Sequence, residues 1–265
     1  MAASVSFNPF RLVWRSIPMS VRNGLKPYIM AGISGFLRRA GYGFVDFAGL
    51  LKHIKSNGFT PQTIVDVGAF VGDWSRSANR VFPNARYLLV EGNEENRGQL
   101  AAATKEITNS EYVIALLGPE QNAEVVFHVH TQGSSVLPEL TSFARQERRL
   151  PMMRLDDLMA GRQAQEPILL KIDVQGFELE ILRGAPLTLG NSEVVILETA
   201  LLPYNQGAPL FAEVISFMAD SGFVAYDFCG QHRRESDNAL FQSDVVFTKA
   251  NSQLRAKKKF WLHEA

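Results

Sequence analysis

The apolar residues of this chain change their spacing near residue 60. Before that point they recur every three to four positions. In FVDFAGLLKHIKSNGF, Phe47, Leu50, Leu51 and Ile54 fall on one helical face, and Asn57-Gly58 stops the run. Residues 1–60 therefore read as a helical arm or cap, broken at Pro9, Pro18, Gly24 and Pro27. From residue 63 onward, short apolar runs at 63–67, 86–91, 111–116, 123–130, 168–173, 193–198, 223–228 and 243–248 predict strands. Helical spacing fills 73–81, 94–105, 155–160, 176–184 and 209–221. That alternation predicts an α/β domain over 61–248, with a parallel sheet covered by helices on both faces. The segment 118–150 interrupts the rhythm. AEVVFHVH alternates and TQGSSVLPEL turns, which predicts an inserted hairpin or edge strand in a substrate region.

Composition narrows the classes. A chain of 265 residues, 46% hydrophobic and 20% charged, can bury a full core without staples. Its one cysteine, Cys229, excludes an internal disulfide framework and fits a reducing, cytoplasmic setting. No apolar run is long enough for a transmembrane helix, and the N-terminus lacks the continuous apolar stretch of a secretory signal. Net charge is zero but unevenly spread. Arg11, Arg15, Arg22, Lys26, Arg38 and Arg39 stand in 1–45 without an acid, and Lys249, Arg255, Lys257, Lys258 and Lys259 meet only Glu264 in the tail 249–265. The middle is therefore acidic and a poor surface for nucleic acid. The basic arm is either a solvated helix or a peripheral contact with an anionic membrane. Oligomeric state is left open.

Chemistry enters at TIVDVGAFVGDWS. An apolar strand ends near Asp66, and glycines follow at 68 and 72, four apart. In an open α/β sheet, ligands sit beyond the carboxyl ends of the strands, and glycine lets backbone approach them closely. The spacing is not the three-glycine dinucleotide fingerprint. Asp73, at the start of the next helix, would repel a pyrophosphate but suits a ligand carrying ammonium or sulfonium charge, as S-adenosylmethionine does. Asp66, Gly68, Ala69, Gly72 and Asp73 are thus candidate cofactor contacts. So are Glu91, with Gly92 and Asn93 beside it, at the end of RYLLVEGNEEN. Glu91 can accept both ribose hydroxyls, a role NAD would also require. Ala115 and Leu116, ending the third strand, offer an apolar face to adenine.

ILLKIDVQGFELEILRGA, residues 168–185, is the most informative stretch: an apolar strand ending in Asp173, a Gln-Gly turn and an acidic amphipathic helix. It resembles the hallmark of the FkbM family of S-adenosylmethionine-dependent methyltransferases. VDVGAFVGDWS resembles that family's first motif, and LPMMRLDDLM the run leading into the hallmark. VVILETALLPYNQG and SDVVFTK resemble the later strands. The likeness covers roughly residues 60–248. It departs at Glu91-Gly92, where the family often has Glu-Pro, and residues 1–45 and the basic tail match nothing in it. The resemblance implies a Rossmann-like, seven-stranded class I methyltransferase sheet with its last strand antiparallel. It also implies methyl transfer to a hydroxyl oxygen of a sugar or polyketide-like acceptor, with S-adenosylhomocysteine as product.

Asp173 can then orient the acceptor, act as base or hold the cofactor's amino group. Lys171 points to the same strand face and needs a buried partner, Asp173 or Asp66. Glu198, ending the next strand, can share acid–base work or pair with Asp173 around Mg²⁺; no metal ligands are assigned. His128 and His130 alternate on one face, and His130, with Gln132, Ser134 and Ser135, is a candidate base in an acceptor pocket. Tyr204 and Asn205 are lid candidates, whereas His53 and Cys229 read as fold residues. No Asn- or Asp-Pro-Pro-aromatic motif is present, which speaks against amino-group methylation of bases. Besides an O-methyltransferase on a small molecule or glycan, the alternatives are a membrane-recruited methyltransferase on lipid or protein and a non-catalytic cofactor-binding scaffold. Asp66, Glu91 and Asp173, from three strands, are expected to converge over one crevice.

Overall fold

Strand β1, Thr63–Val67, is buried at every position, and so is β7, Ile168–Ile172. Such continuous runs belong at the centre of a sheet covered on both faces. The computed structural model describes residues 46–129, 134–140 and 146–256, all within one unit, Val45–Ala265. The expected helices of 1–45, residues His130 and Gln132, and the basic tail beyond Ala256 lie outside the described residues.

The strands are β1, β2 (Arg86–Glu91), β3 (Ser110–Ile114), β4 (Leu116–Leu117), β5 (Glu124–Val129), β6 (Gln146–Met153), β7, β8 (Ser192–Ala200), β9 (Phe223–Arg233) and β10 (Leu240–Lys249). Seven form one sheet in the order β3-β2-β1-β7-β8-β10-β9. Pairing is parallel from β3 to β8, and β10 runs antiparallel to both of its neighbours. This is the class I methyltransferase sheet that the resemblance implies, its last strand reversed.

The helices are α1 (Phe47–Ser56), α2 (Asp73–Val81), α3 (Arg97–Glu106), α4 (Leu155–Met159), α5 (Glu178–Arg183), α6 (Pro186–Gly190) and α7 (Phe211–Asp220). Val65, Val67, Leu88, Val90, Leu170, Ile172, Val195 and Leu197 pack with apolar residues of α4 to α7 into one core. Side chains alternate along a strand, so Asp66 and Lys171 belong to the other face. There Lys171 Nζ lies 5.7 Å from the ring centre of Trp74 on α2. Helix α1 packs on α2 and β9, with Leu50, Leu51 and Ile54 buried as their spacing predicts.

The insertion forms its own sheet, in the order β4-β6-β5, rather than only a hairpin or an edge strand. Sequence reading leaves β6 unassigned for a physical reason. QERRLPMM carries three charges and a proline, and only Met152 within it is buried, so no apolar alternation marks the strand. Helix α6, five residues long, escapes for want of a full period.

One glycine is dictated by the way the sheet is assembled. Gly68 has φ 75°, and a Cβ built on it would lie 1.8 Å from the backbone oxygen of Asp173. Gly161 has φ 78° but nothing within 4 Å of such a Cβ. Gly68→Ala is therefore expected to cost several-fold more stability than Gly161→Ala, about 3 against about 1 kcal/mol, in chemical denaturation. Equal losses would mean that the backbone contact at Gly68 is not a constraint.

Candidate active site

The site is built where the ends of β1, β2 and β7 meet. Past Val67, the amides of Gly68 and Ala69 both donate to Val90 O, at 2.9 and 3.0 Å, and the amide of Asp173 donates to Val67 O at 3.0 Å. The glycine turn is thus pinned to β2 on one side and pressed against the β7 turn on the other. Gly72 (φ 82°) closes the turn as the N-cap of α2. A Cβ there would fall 2.7 Å from Ala103 Cβ, so Gly72 serves helix packing.

Between these ends lies a cavity of about 310 Å³. Of the residues singled out from sequence, Gly68, Glu91, Gly92, Ala115, Leu116, Ser134, Ser135 and Asp173 line it. Glu91 is held firmly: Oε2 accepts the amide of Phe70 at 2.8 Å, and Oε1 accepts that of Asn93 at 2.7 Å. Burial pushes its carboxyl up from the ordinary value, and the amides of Asn93 and Phe70 oppose that rise. Leu116 and Phe127 form an apolar wall beside Gly92, whose added Cβ would sit 3.2 Å from each.

Three carboxylates do not converge on the crevice as expected; Glu91 and Asp173 do, and Asp66 lies beneath it. The cause is register. Asp66 stands directly beside Lys171 on the adjacent strand, on the same face. Its Oδ1 is 3.4 Å from Lys171 Nζ, its Oδ2 accepts from Ser75 Oγ at 2.7 Å, and it is 1% exposed. Ala69 is buried in the turn without lining the cavity. Asp73 points outward, with its side chain 81% exposed and paired to Arg76 at 3.0 Å. Asn93 caps the short 3-10 turn Glu94–Asn96. His130 lies outside the described residues; His128 faces Glu147 at 3.7 Å.

Lys171 also donates to Asp173 Oδ2 at 3.1 Å, so it meets both partners that the sequence offered. Burial alone would lower its pKa, but Asp173 and Asp66 outweigh burial and hold it above the usual lysine value. Next to Asp173 the strands bring up Glu198 on β8, and Asp244 on β10 pairs directly with Glu198. Three acids thus form a row across three neighbouring strands. Burial, then the negative charges of Asp173, Glu178 and Asp244, push Glu198 well above the usual carboxylate range. Burial and Asp173 lift Asp244 to about 8. Burial lifts Glu178 to about 7. Glu198 Oε2 accepts from Gln175 Nε2 at 2.8 Å and opens onto a second hollow shared with Tyr204 and Asn205. Gln175 lines both spaces.

Phe127, Glu178 and Asp244 are site residues that sequence reading missed. An acid inside the apolar run SDVVFTK was the available signal for Asp244. Among the described residues, no group of three or more His, Cys, Asp or Glu is arranged to hold a metal ion. None of the described helices is long and apolar enough to cross a membrane.

The family model described as "Methyltransferase FkbM domain" matches residues 66–225. Among solved structures, the O-methyltransferase TomG from Streptomyces achromogenes, involved in tomaymycin synthesis and in complex with SAM, is similar at 14% identity. The likeness covers 83% of this chain and 88% of that one, with a TM-score of 0.45. Precorrin-6y C5,15-methyltransferase from Geobacter metallireducens is similar at 15% identity, over 76% of this chain and 87% of that one, with a TM-score of 0.43. No curated protein matches the chain.

The acid row has a consequence for stability. Asp244, Glu178 and Glu198 titrate higher in the folded chain than the roughly 4 expected when unfolded. Their contribution is present below about pH 4 and is lost as pH rises toward 8. Asp244→Asn should therefore flatten the fall in melting temperature between about pH 5 and pH 8.5. An unchanged slope would show that Asp244 does not titrate in that window.

Proposed function

The chain belongs to the FkbM methyltransferase family, and from that premise we propose an S-adenosylmethionine-dependent O-methyltransferase. Its acceptor would be a hydroxyl group on a small-molecule or glycan-type substrate. The observation that carries this reading is the cavity itself, where one fixed carboxylate and one lysine-paired carboxylate stand at opposite sides of an apolar-walled space. Its volume of about 310 Å³ falls at the lower end of small-molecule sites.

The residues fit a sulfonium nucleoside. Glu91, oriented by two backbone amides, has lone pairs left for ribose hydroxyls. Ala115, Leu116 and Phe127 supply the apolar faces an adenine requires, and Gly92 keeps the gap beside them open. S-adenosylmethionine supplies a methyl group already activated by the sulfonium charge. What remains for the protein is to place a hydroxyl in line and accept its proton.

Asp173 takes the proton in this reading. It is the member of the acid row that lines the cavity, and its side chain is 32% exposed. The Lys171 ammonium balances its negative charge. Glu198, its carboxyl pushed well above the usual range by burial and then by the charge of Asp173, lies next to Asp173. Gln175, which lines both spaces, holds Glu198 in place beside it. Asp66 serves indirectly, as the second anchor of Lys171.

Glu91→Ala is expected to weaken S-adenosylhomocysteine binding by about tenfold or more in calorimetry, from loss of a charge-assisted contact. Asp173→Asn should lower methyl transfer to a pool of hydroxylated acceptors by about 100-fold or more, with the melting curve still cooperative. Wild-type turnover in Asp173→Asn would remove it as the base, and failure of the unaltered chain to bind S-adenosylhomocysteine would overturn the cofactor assignment.

A further inference from the structure

The turn between β7 and α5 is held by hydrogen bonds from several directions. Gln175 (φ 60°) and Gly176 (φ 96°) are both left-handed, a pairing that needs outside support. The Asp173 amide goes to Val67 O, at 3.0 Å. The Gln175 carbonyl accepts from Ser135 Oγ at 3.0 Å, and the Gln175 side chain donates to Glu198 at 2.8 Å. Two further amides, those of Val174 and Gly176, both donate to a single atom, Glu178 Oε1, at 3.1 Å each.

Glu178 is 3% exposed and has no part in the proposed chemistry. An ordinary acid in a first helical turn takes the amide of its own N-cap residue or faces the helix dipole from solvent. Glu178 instead reaches past its N-cap, Phe177, into the turn. We infer that Glu178 is a positioning residue whose carboxylate, by gathering both amides, fixes the turn that aims Asp173 into the cavity and Gln175 at Glu198. This rests on the reading of Asp173 as base.

The titratable groups facing Glu178 are Asp173 on β7, Glu198 on β8 and Asp244 on β10, and burial places its own titration at about 7. An ionised carboxylate accepts amides more strongly than a neutral one. The turn therefore tightens as pH rises through about 7.

Amide NMR of the full chain without ligand tests this directly. The Val174 and Gly176 resonances should titrate with a midpoint near 7, and that titration should vanish in Glu178→Gln. No titration of these amides between about pH 5.5 and 8.5, or the same titration in Glu178→Gln, would overturn the inference. In turnover, Glu178→Gln keeps a carbonyl acceptor. It should stay within about fivefold of wild type in kcat while the inflection near pH 7 disappears from the pH profile. Glu178→Ala should lose roughly tenfold or more in kcat, and wild-type kcat in that variant contradicts positioning. If the wild-type amides titrate as expected but wild type methylates nothing, the functional reading fails and the positioning of the turn stands.

Discussion

One buried ammonium organises this site. Lys171 is 3% exposed in the middle of a fully buried strand, a position that a lysine occupies only when paired. Its partners come from two directions. Asp66 stands beside it on β1, and Asp173 lies two residues farther along its own strand. The pairing ties the floor of the cavity to its wall. It also brings a compensating positive charge to a place where the sheet gathers Asp66, Asp173, Glu198 and Asp244 on one face. Without that charge the row would hold several carboxyls in a poorly solvated space, and they would have to take up protons.

Backbone contacts supply the precision that charge alone lacks. The glycine turn after β1 and the left-handed turn after β7 touch at Gly68 and the Asp173 carbonyl, closer than any other residue type allows. Each turn is then fixed by a carboxylate that collects two amides: Glu91 takes those of Phe70 and Asn93, and Glu178 those of Val174 and Gly176. The same device, once at a strand end and once at a helix start, holds the turns on both sides of the cavity. The inserted sheet closes the remaining side, reaching the β7 turn through Ser135 and the apolar wall through Phe127.

Much of this was legible in the chain, for identifiable reasons. Central strands announce themselves by uninterrupted apolar runs, so the parallel sheet and its acid-tipped ends follow from pattern, while its seven-strand count follows from the family resemblance. Lys171 stood out because a lysine in such a run demands a partner. The exact register did not, and register decided that Asp66 would point at Lys171 and Ser75 rather than into the crevice. Asp244 was hidden for a related reason: only the antiparallel pairing with β8 reveals that it sits next to Glu198. Strand β6 was illegible because its mixed burial leaves no apolar period. Glu178 was not singled out, since the backward reach of its side chain depends on two left-handed residues that no periodicity announces.

The central claim is that Lys171 holds the carboxylates of the site together. Replacing it by methionine, which keeps the length and removes the charge, and following unfolding against pH tests that most directly. The account predicts a loss of about 3–5 kcal/mol near pH 7, growing as pH rises and largely recovered when Asp66→Asn is added to Lys171→Met. A Lys171→Met chain as stable as wild type from about pH 5 to pH 8.5, or one that Asp66→Asn does not rescue, would contradict it.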